Sequence, residues 1–215
     1  MHPNVATTVR LMLVTDDALV ADRELVAIAL AAARGGITSF QLRLKKASPL
    51  ELAEAARELL AALPVPLLIN DRADVALAVG AAGVHLGPED VPIAIIRRIA
   101  PPGFLIGASV GSAREADGGR GADYWGVGPW NATTTKGDAG GAIGAEGFQR
   151  IARLAEGKPC IAIGGVRPED VPAITGARGA GVAVVSGILA GDDVEERTRA
   201  YAVRFAGSPG GEIAR

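Results

Sequence analysis

An α/β chain folded as a single (β/α)8 TIM barrel is what the sequence predicts, and three observations predict it. Apolar runs of strand length alternate with alanine- and leucine-rich stretches of helical spacing along almost the whole chain. The strand runs are continuously apolar rather than alternating, as strands buried on both faces require. Polar residues concentrate where those runs end, the rim at which barrels carry their chemistry. An open doubly wound sheet is the runner-up, and eight βα units in one chain favour closure.

The expected strands are Arg10–Thr15, Thr38–Leu42, Leu67–Asn70, Gly83–Leu86, Phe104–Ala108, Tyr124–Val127, Cys160–Ile163 and Gly181–Val185. Helical patterns cover Arg23–Arg34, Pro49–Leu63, Asp74–Val79 and Glu146–Ala155. Ser48 before Pro49, with Glu51 three positions on, predicts a capping box, and Arg167-Pro168-Glu169-Asp170 is a similar helix entry. Gly35-Gly36 and Gly80 are expected helix stops. The echo of Gly80-Ala81-Ala82-Gly83, Arg120-Gly121-Ala122-Asp123 and Gly179-Ala180-Gly181 places small residues before successive strands. Residues 1–207 read as one catalytic domain, and 208–215, opening with Ser208-Pro209-Gly210-Gly211, as a flexible tail.

The bulk figures agree with one large domain. The chain has 215 residues, 49% hydrophobic and 21% charged, with only 4% aromatics, so aliphatic side chains must fill the core. Twenty-two basic residues against 24 acidic ones give a net charge of −2, which argues against a general nucleic-acid or membrane-surface binder. Cys160 is the one cysteine and sits in an apolar run, so it reads as a buried thiol in a reducing compartment. The N-terminus lacks a signal-peptide pattern and no apolar stretch reaches spanning length, so a cytoplasmic setting is expected. A barrel of this size often self-associates, and a homo-oligomer is compatible with the sequence.

Two strand runs end in acid. Leu67-Leu68-Ile69-Asn70 leads to Asp71, and Gly83-Val84-His85-Leu86 leads to Glu89-Asp90. Carboxylates from neighbouring strand ends suit a hard cation such as Mg²⁺, which shares oxygen ligands with substrate phosphates. Helix capping and turn closure are the commoner uses of any single aspartate. After the second strand, Gln41, Arg43 and Lys45 alternate onto one side, a cationic set suited to a diphosphate. Arg72 has a structural role, pairing with Asp71 or Asp74, or contacts a ligand; His85 reads as a core histidine. Ser109 closes the fifth strand as a cap or a ligand hydrogen-bonder. The longest loop, Gly128 to Gly144, carries Thr133-Thr134-Thr135-Lys136 among glycines, as an anion-binding lid would. Gly164-Gly165 and Ser186-Gly187 offer backbone amides for a phosphate.

These motifs, in this order and spacing, resemble the thiamine-phosphate synthase family over nearly the full chain: Gln41-Leu42-Arg43-Leu44-Lys45, Ile69-Asn70-Asp71-Arg72, Gly83-Val84-His85-Leu86-Gly87, Glu89-Asp90, Gly126-Val127-Gly128-Pro129, Thr133–Lys136, Ala162-Ile163-Gly164-Gly165 and Val184-Val185-Ser186. The resemblance implies coupling of hydroxymethylpyrimidine diphosphate to hydroxyethylthiazole phosphate, with release of diphosphate. It implies that Gln41, Arg43, Lys45, Asn70, Ser109 and Lys136 hold the pyrimidine diphosphate, with Arg43, Lys45, Lys136 and Ser109 as the catalytic set. Thr133, Thr134, Thr135, Gly165, Val185 and Ser186 would hold the thiazole phosphate, and Asp71 and Asp90 the Mg²⁺. Leu44, Lys46-Ala47, Ser109-Val110-Gly111-Ser112 and Trp130-Asn131-Ala132 depart from the family's usual residues, and altered loop packing is expected there. A related tautomerase that binds only the thiazole phosphate, or a non-catalytic phosphate sensor on this fold, would have no use for the diphosphate and metal set.

Overall fold

Eight parallel strands close on themselves in chain order: β1 (Leu11–Val14), β2 (Ser39–Leu42), β3 (Leu67–Asn70), β4 (Gly83–Leu86), β5 (Leu105–Ser109), β6 (Tyr124–Val127), β7 (Cys160–Ile163) and β8 (Gly181–Val184). The computed structural model describes residues 4–132 and 141–206. Each strand pairs with the next, and β8 pairs with β1 through Leu11–Val182, Met12–Ala183 and Leu13–Val184. The observed strand limits fall within one residue of those expected. Residues 208–215 lie outside the described residues.

Both faces of every strand are covered, which is why the strand runs lack a polar alternation. Leu13, Phe40, Ile69, Val84, Ile106, Trp125, Ala162 and Val184 point outward into a shell shared with the helices. Val9, Met12, Val14, Leu68, Tyr124, Ile161 and Ala183 form a second cluster that fills the barrel lumen. The filled lumen makes the barrel a solid core with one open end, not a pore.

The helices are α1 (Val5–Thr8), α2 (Asp17–Val20), α3 (Leu25–Gly35), α4 (Pro49–Ala62), α5 (Ala73–Val79), α6 (Ile93–Ile99), α7 (Gly144–Ala152), α8 (Val171–Gly176), α9 (Ser186–Leu189) and α10 (Val194–Ala206). The capping box is present: the Glu51 amide donates to Ser48 Oγ at 3.3 Å and the Ser48 amide to Glu51 Oε2 at 2.7 Å. Gly36 (φ 104°) and Gly80 (φ 73°) end α3 and α5 in the left-handed conformation that glycine adopts without strain. Among the described residues, no helix is long and apolar enough to cross a membrane.

The expectation of eight complete βα units needs one correction. Between β5 and β6 the chain forms a series of turns over residues 113–121 and no helix. Gly118 and Gly119 weaken any helix there. The Trp125 indole fills the space instead and donates from Nε1 to the Gly119 carbonyl at 2.8 Å.

Candidate active site

The carboxyl ends of the strands surround a cavity of about 490 Å³. Of the residues singled out from sequence, Gln41, Arg43, Lys45, Asn70, Asp71, Asp90, Ser109, Gly165, Val185 and Ser186 all line it. Thr133, Thr134, Thr135 and Lys136 lie outside the described residues.

The basic wall is built by β2 and the loop that follows it. Thr15 ties β1 to β2, its Oγ1 donating to the Arg43 carbonyl at 3.0 Å and accepting from the Arg43 amide at 2.7 Å. The Arg43 guanidinium reaches Asp16 Oδ2 at 3.3 Å, with both side chains about four-fifths buried. Asp17 accepts from the Lys45 and Lys46 amides, each at 3.0 Å, and so fixes the turn that delivers Lys45. Burial pushes the Asp17 carboxyl upward, but the amides of Lys46 and Lys45 prevail and hold it below its ordinary value. Sequence reasoning did not assign Asp16 and Asp17 to the site. Their signal was the same as that of Asp71, acid at the end of a strand run.

The acidic wall faces it. Asp71 leaves β3 with φ of 62°, its amide donating to the His85 carbonyl at 2.8 Å. Its carboxylate is paired with the Lys45 ammonium. Asp90 Oδ2 accepts the Gly87 amide at 2.6 Å, which folds the loop after β4 over the rim. Burial raises the Asp90 carboxyl above its ordinary value; the Gly87 amide opposes this, and the hydrogen bond and like charge of Asp71 add to it. Two carboxylates in one place, only partly neutralised by Lys45, make a site that favours a cation. Among the described residues no group of three or more His, Cys, Asp or Glu side chains gathers as a metal cage. Arg72 turns away to Asp74, at 2.9 and 2.5 Å, which settles it in the structural role.

The floor is polar but buried. His85 is 6% exposed, with Nδ1 3.0 Å from Tyr124 Oη and Nε2 3.0 Å from Ser109 Oγ. Gly107 makes room for this pair: a Cβ there would lie 2.2 Å from Tyr124 Cζ and 2.5 Å from His85 Nδ1. His85 is buried as a core histidine should be, yet it lines the cavity and holds the Ser109 hydroxyl. Glu115 also lines the cavity and was missed; it accepts the Gly111 amide at 2.7 Å and the Ser112 hydroxyl at 2.9 Å.

Across the mouth, the turn after β7 and the start of α9 present Gly164, Gly165 and Ser186 to the cavity. Tyr201 of α10 braces both from behind, its hydroxyl donating to the Val166 carbonyl at 2.8 Å and packing where a Cβ on Gly187 would be only 2.1 Å away. Acid, base and glycine turns thus converge on one rim of one cavity.

The family model described as thiamine monophosphate synthase matches residues 11–188, the span of the barrel strands. The chain belongs to that family. A thiamine-phosphate synthase of Azorhizobium caulinodans is 48% identical over 194 residues, covering 88% of this chain and 91% of the relative. One from Xanthobacter autotrophicus is 48% identical over 195 residues, covering 88% and 92%. The solved thiamine phosphate pyrophosphorylase of Pyrococcus furiosus superposes with a TM-score of 0.80 at 35% identity, covering 94% of this chain and 97% of that one. The chain is accordingly an enzyme of the transferase type, and the resemblance read from its motifs is borne out.

Proposed function

We propose that the chain couples 4-amino-2-methyl-5-pyrimidinylmethyl diphosphate to hydroxyethylthiazole phosphate, yielding thiamine monophosphate and diphosphate. The observation that carries this reading is the meeting, in one cavity, of a basic strand end, two acidic strand ends and two glycine turns. A protein that only bound or isomerised the thiazole phosphate would use the glycine turns and leave Arg43, Lys45, Asp71 and Asp90 without work.

The chemistry is dissociative. The bond between the pyrimidine methylene and the diphosphate oxygen breaks, the diphosphate keeps the electron pair, and the aminopyrimidine ring stabilises the cation left behind. The thiazole nitrogen then donates its lone pair to that carbon. Such a reaction needs no protein nucleophile. Cys160 takes no part in it, buried in the outer shell with its thiol pushed up to about 12 by that burial. Arg43 and Lys45 stabilise the departing negative charge, above a cavity floor at Gln41 and His85 that is buried. Gln41, Asn70 and Ser109 orient the pyrimidine, with His85 fixing the serine hydroxyl. Gly165, Val185 and Ser186 receive the thiazole phosphate. Thr133, Thr134, Thr135 and Lys136 are assigned by motif alone, Lys136 to the diphosphate and the threonines to the thiazole phosphate.

The two carboxylates fit a hard cation, and Asp71 and Asp90 would hold Mg²⁺. When bound, the ion neutralises charge on the diphosphate as it leaves.

Purified protein, both substrates and Mg²⁺ form the deciding assay. Thiamine phosphate and diphosphate are expected in equal amounts, and EDTA should abolish both. No coupled product at saturating substrate would sink the reading.

A further inference from the structure

The segment that leaves β6 does not simply turn back toward α7. It runs beside the turn that follows β7, held there by two consecutive backbone amides. The Trp130 amide donates to the Ile163 carbonyl at 2.8 Å and the Asn131 amide to the Gly164 carbonyl at 3.0 Å. The Asn131 side chain then makes two further bonds from Nδ2, to the Gly165 carbonyl at 2.9 Å and to Asp170 Oδ2 at 2.9 Å. The same Asp170 oxygen accepts the Arg167 amide at 2.8 Å, at the entry to α8. One side-chain amide thus bridges the glycine turn to the helix entry beyond it.

The turn it holds needs holding. Gly164 and Gly165 have φ of 88° and 62°, and glycine is the residue least confined to any one conformation. A Cβ at Gly165 would fall 2.7 Å from the Ala132 carbonyl oxygen and 2.9 Å from Asn131 Cβ, so the two segments are in direct contact. Trp130 anchors the latch from below, 4% exposed and edge-on to Phe148 at 5.8 Å.

We propose that Asn131 is a positioning residue that fixes the Gly164–Gly165 turn for the phosphate of the thiazole substrate, and so sets affinity for that substrate and not for the pyrimidine diphosphate. The proposal rests on the synthase reading above. Asn131 touches neither substrate; it acts by removing conformations of the glycine turn in which the turn does not match a phosphate. Preorganising a loop raises affinity by lowering the ordering cost at binding.

Asn131→Leu keeps nearly the size and shape of the side chain but removes both N–H donors, and Asn131→Ala removes the side chain. Each should raise the KM for thiazole phosphate by about tenfold, with the KM for pyrimidine diphosphate within about twofold of wild type. Asp170→Ala should give part of the same effect, and its combination with Asn131→Ala should raise that KM by less than the product of the two single effects, because the two share one bridge. Equal rises in both KM values, or no rise, in a folded variant overturn the latch while leaving the synthase reading intact. If wild type forms no coupled product, that reading falls instead, and binding of inorganic phosphate by calorimetry tests the latch alone. Weaker binding by Asn131→Leu then supports it, and equal binding, or none by wild type, overturns it.

Discussion

At the end of β3 an ordinary side chain sits in an unusual backbone conformation. Asp71, at φ 62°, is one of three non-glycine residues with positive φ among those described. Asp and Asn tolerate this region better than other L-residues, at a cost of about 1–3 kcal/mol when the surroundings enforce it. Here the His85 carbonyl, which accepts the Asp71 amide, enforces it and aims the carboxylate back toward Lys45 and Asp90. That makes Asp71→Asn a clean experiment, because asparagine keeps the backbone preference and loses only the charge. Turnover should fall about a hundredfold or more while the melting temperature stays close to wild type, and Asp90→Asn should behave alike. Unchanged rates in both would reduce the carboxylates to turn formers. The acids at these positions were visible in the sequence because a strand boundary marks them; the backbone strain and the Lys45 partner were not. Likewise the sequence leaves Arg72 open between pairing with Asp71 or Asp74 and contacting a ligand, and the fold pairs it with Asp74.

Elements were legible wherever a local signal sufficed. The Ser48-Pro49 start of α4 is written in four consecutive residues, and both bonds of its capping box are formed. Ser48→Ala should therefore cost about 1 kcal/mol, lowering the melting temperature by about 2–4 °C with activity little changed, since Ser48 does not line the cavity. A calorimetric scan checks it, and an unchanged midpoint would mean the box adds nothing here. The connection between β5 and β6 was not legible in the same way. Its composition is compatible with a short helix, and what decides against one is Trp125, a residue of the following strand that occupies the helix's place. Within Trp130-Asn131-Ala132, the Asn131 side chain bonds to Gly165 and Asp170, residues 34 and 39 positions away. No local pattern announces a partner at that distance.

At the scale of the molecule the ring of helices must close as the sheet does, and α10 closes it against α3. Gly35 allows the approach: a Cβ there would lie 2.5 Å from Thr198 Cβ and 2.6 Å from the Glu195 carbonyl oxygen. Glu195 then ties the pair, receiving Arg34 Nε at 2.7 Å and Arg199 Nη2 at 2.5 Å. The Arg34 bond and then the Arg199 bond hold its carboxyl below the ordinary value of 4.5. A carboxyl depressed in the folded state stabilises that state at every pH above the unfolded value, and the contribution disappears as pH falls through the folded one. Glu195→Gln keeps the shape and removes the charge. Its melting temperature should therefore lie below wild type at about pH 7, and the gap should narrow once pH drops below 4.5, because wild type then loses its own charge. Concentrated salt should narrow it too, since Arg34 and Arg199 are more than half exposed and their attraction is screened. A gap that persisted unchanged in acid and in salt would show that Glu195 acts through packing at the α3–α10 seam, with the closure of the helix ring resting on Gly35 and Thr198 alone.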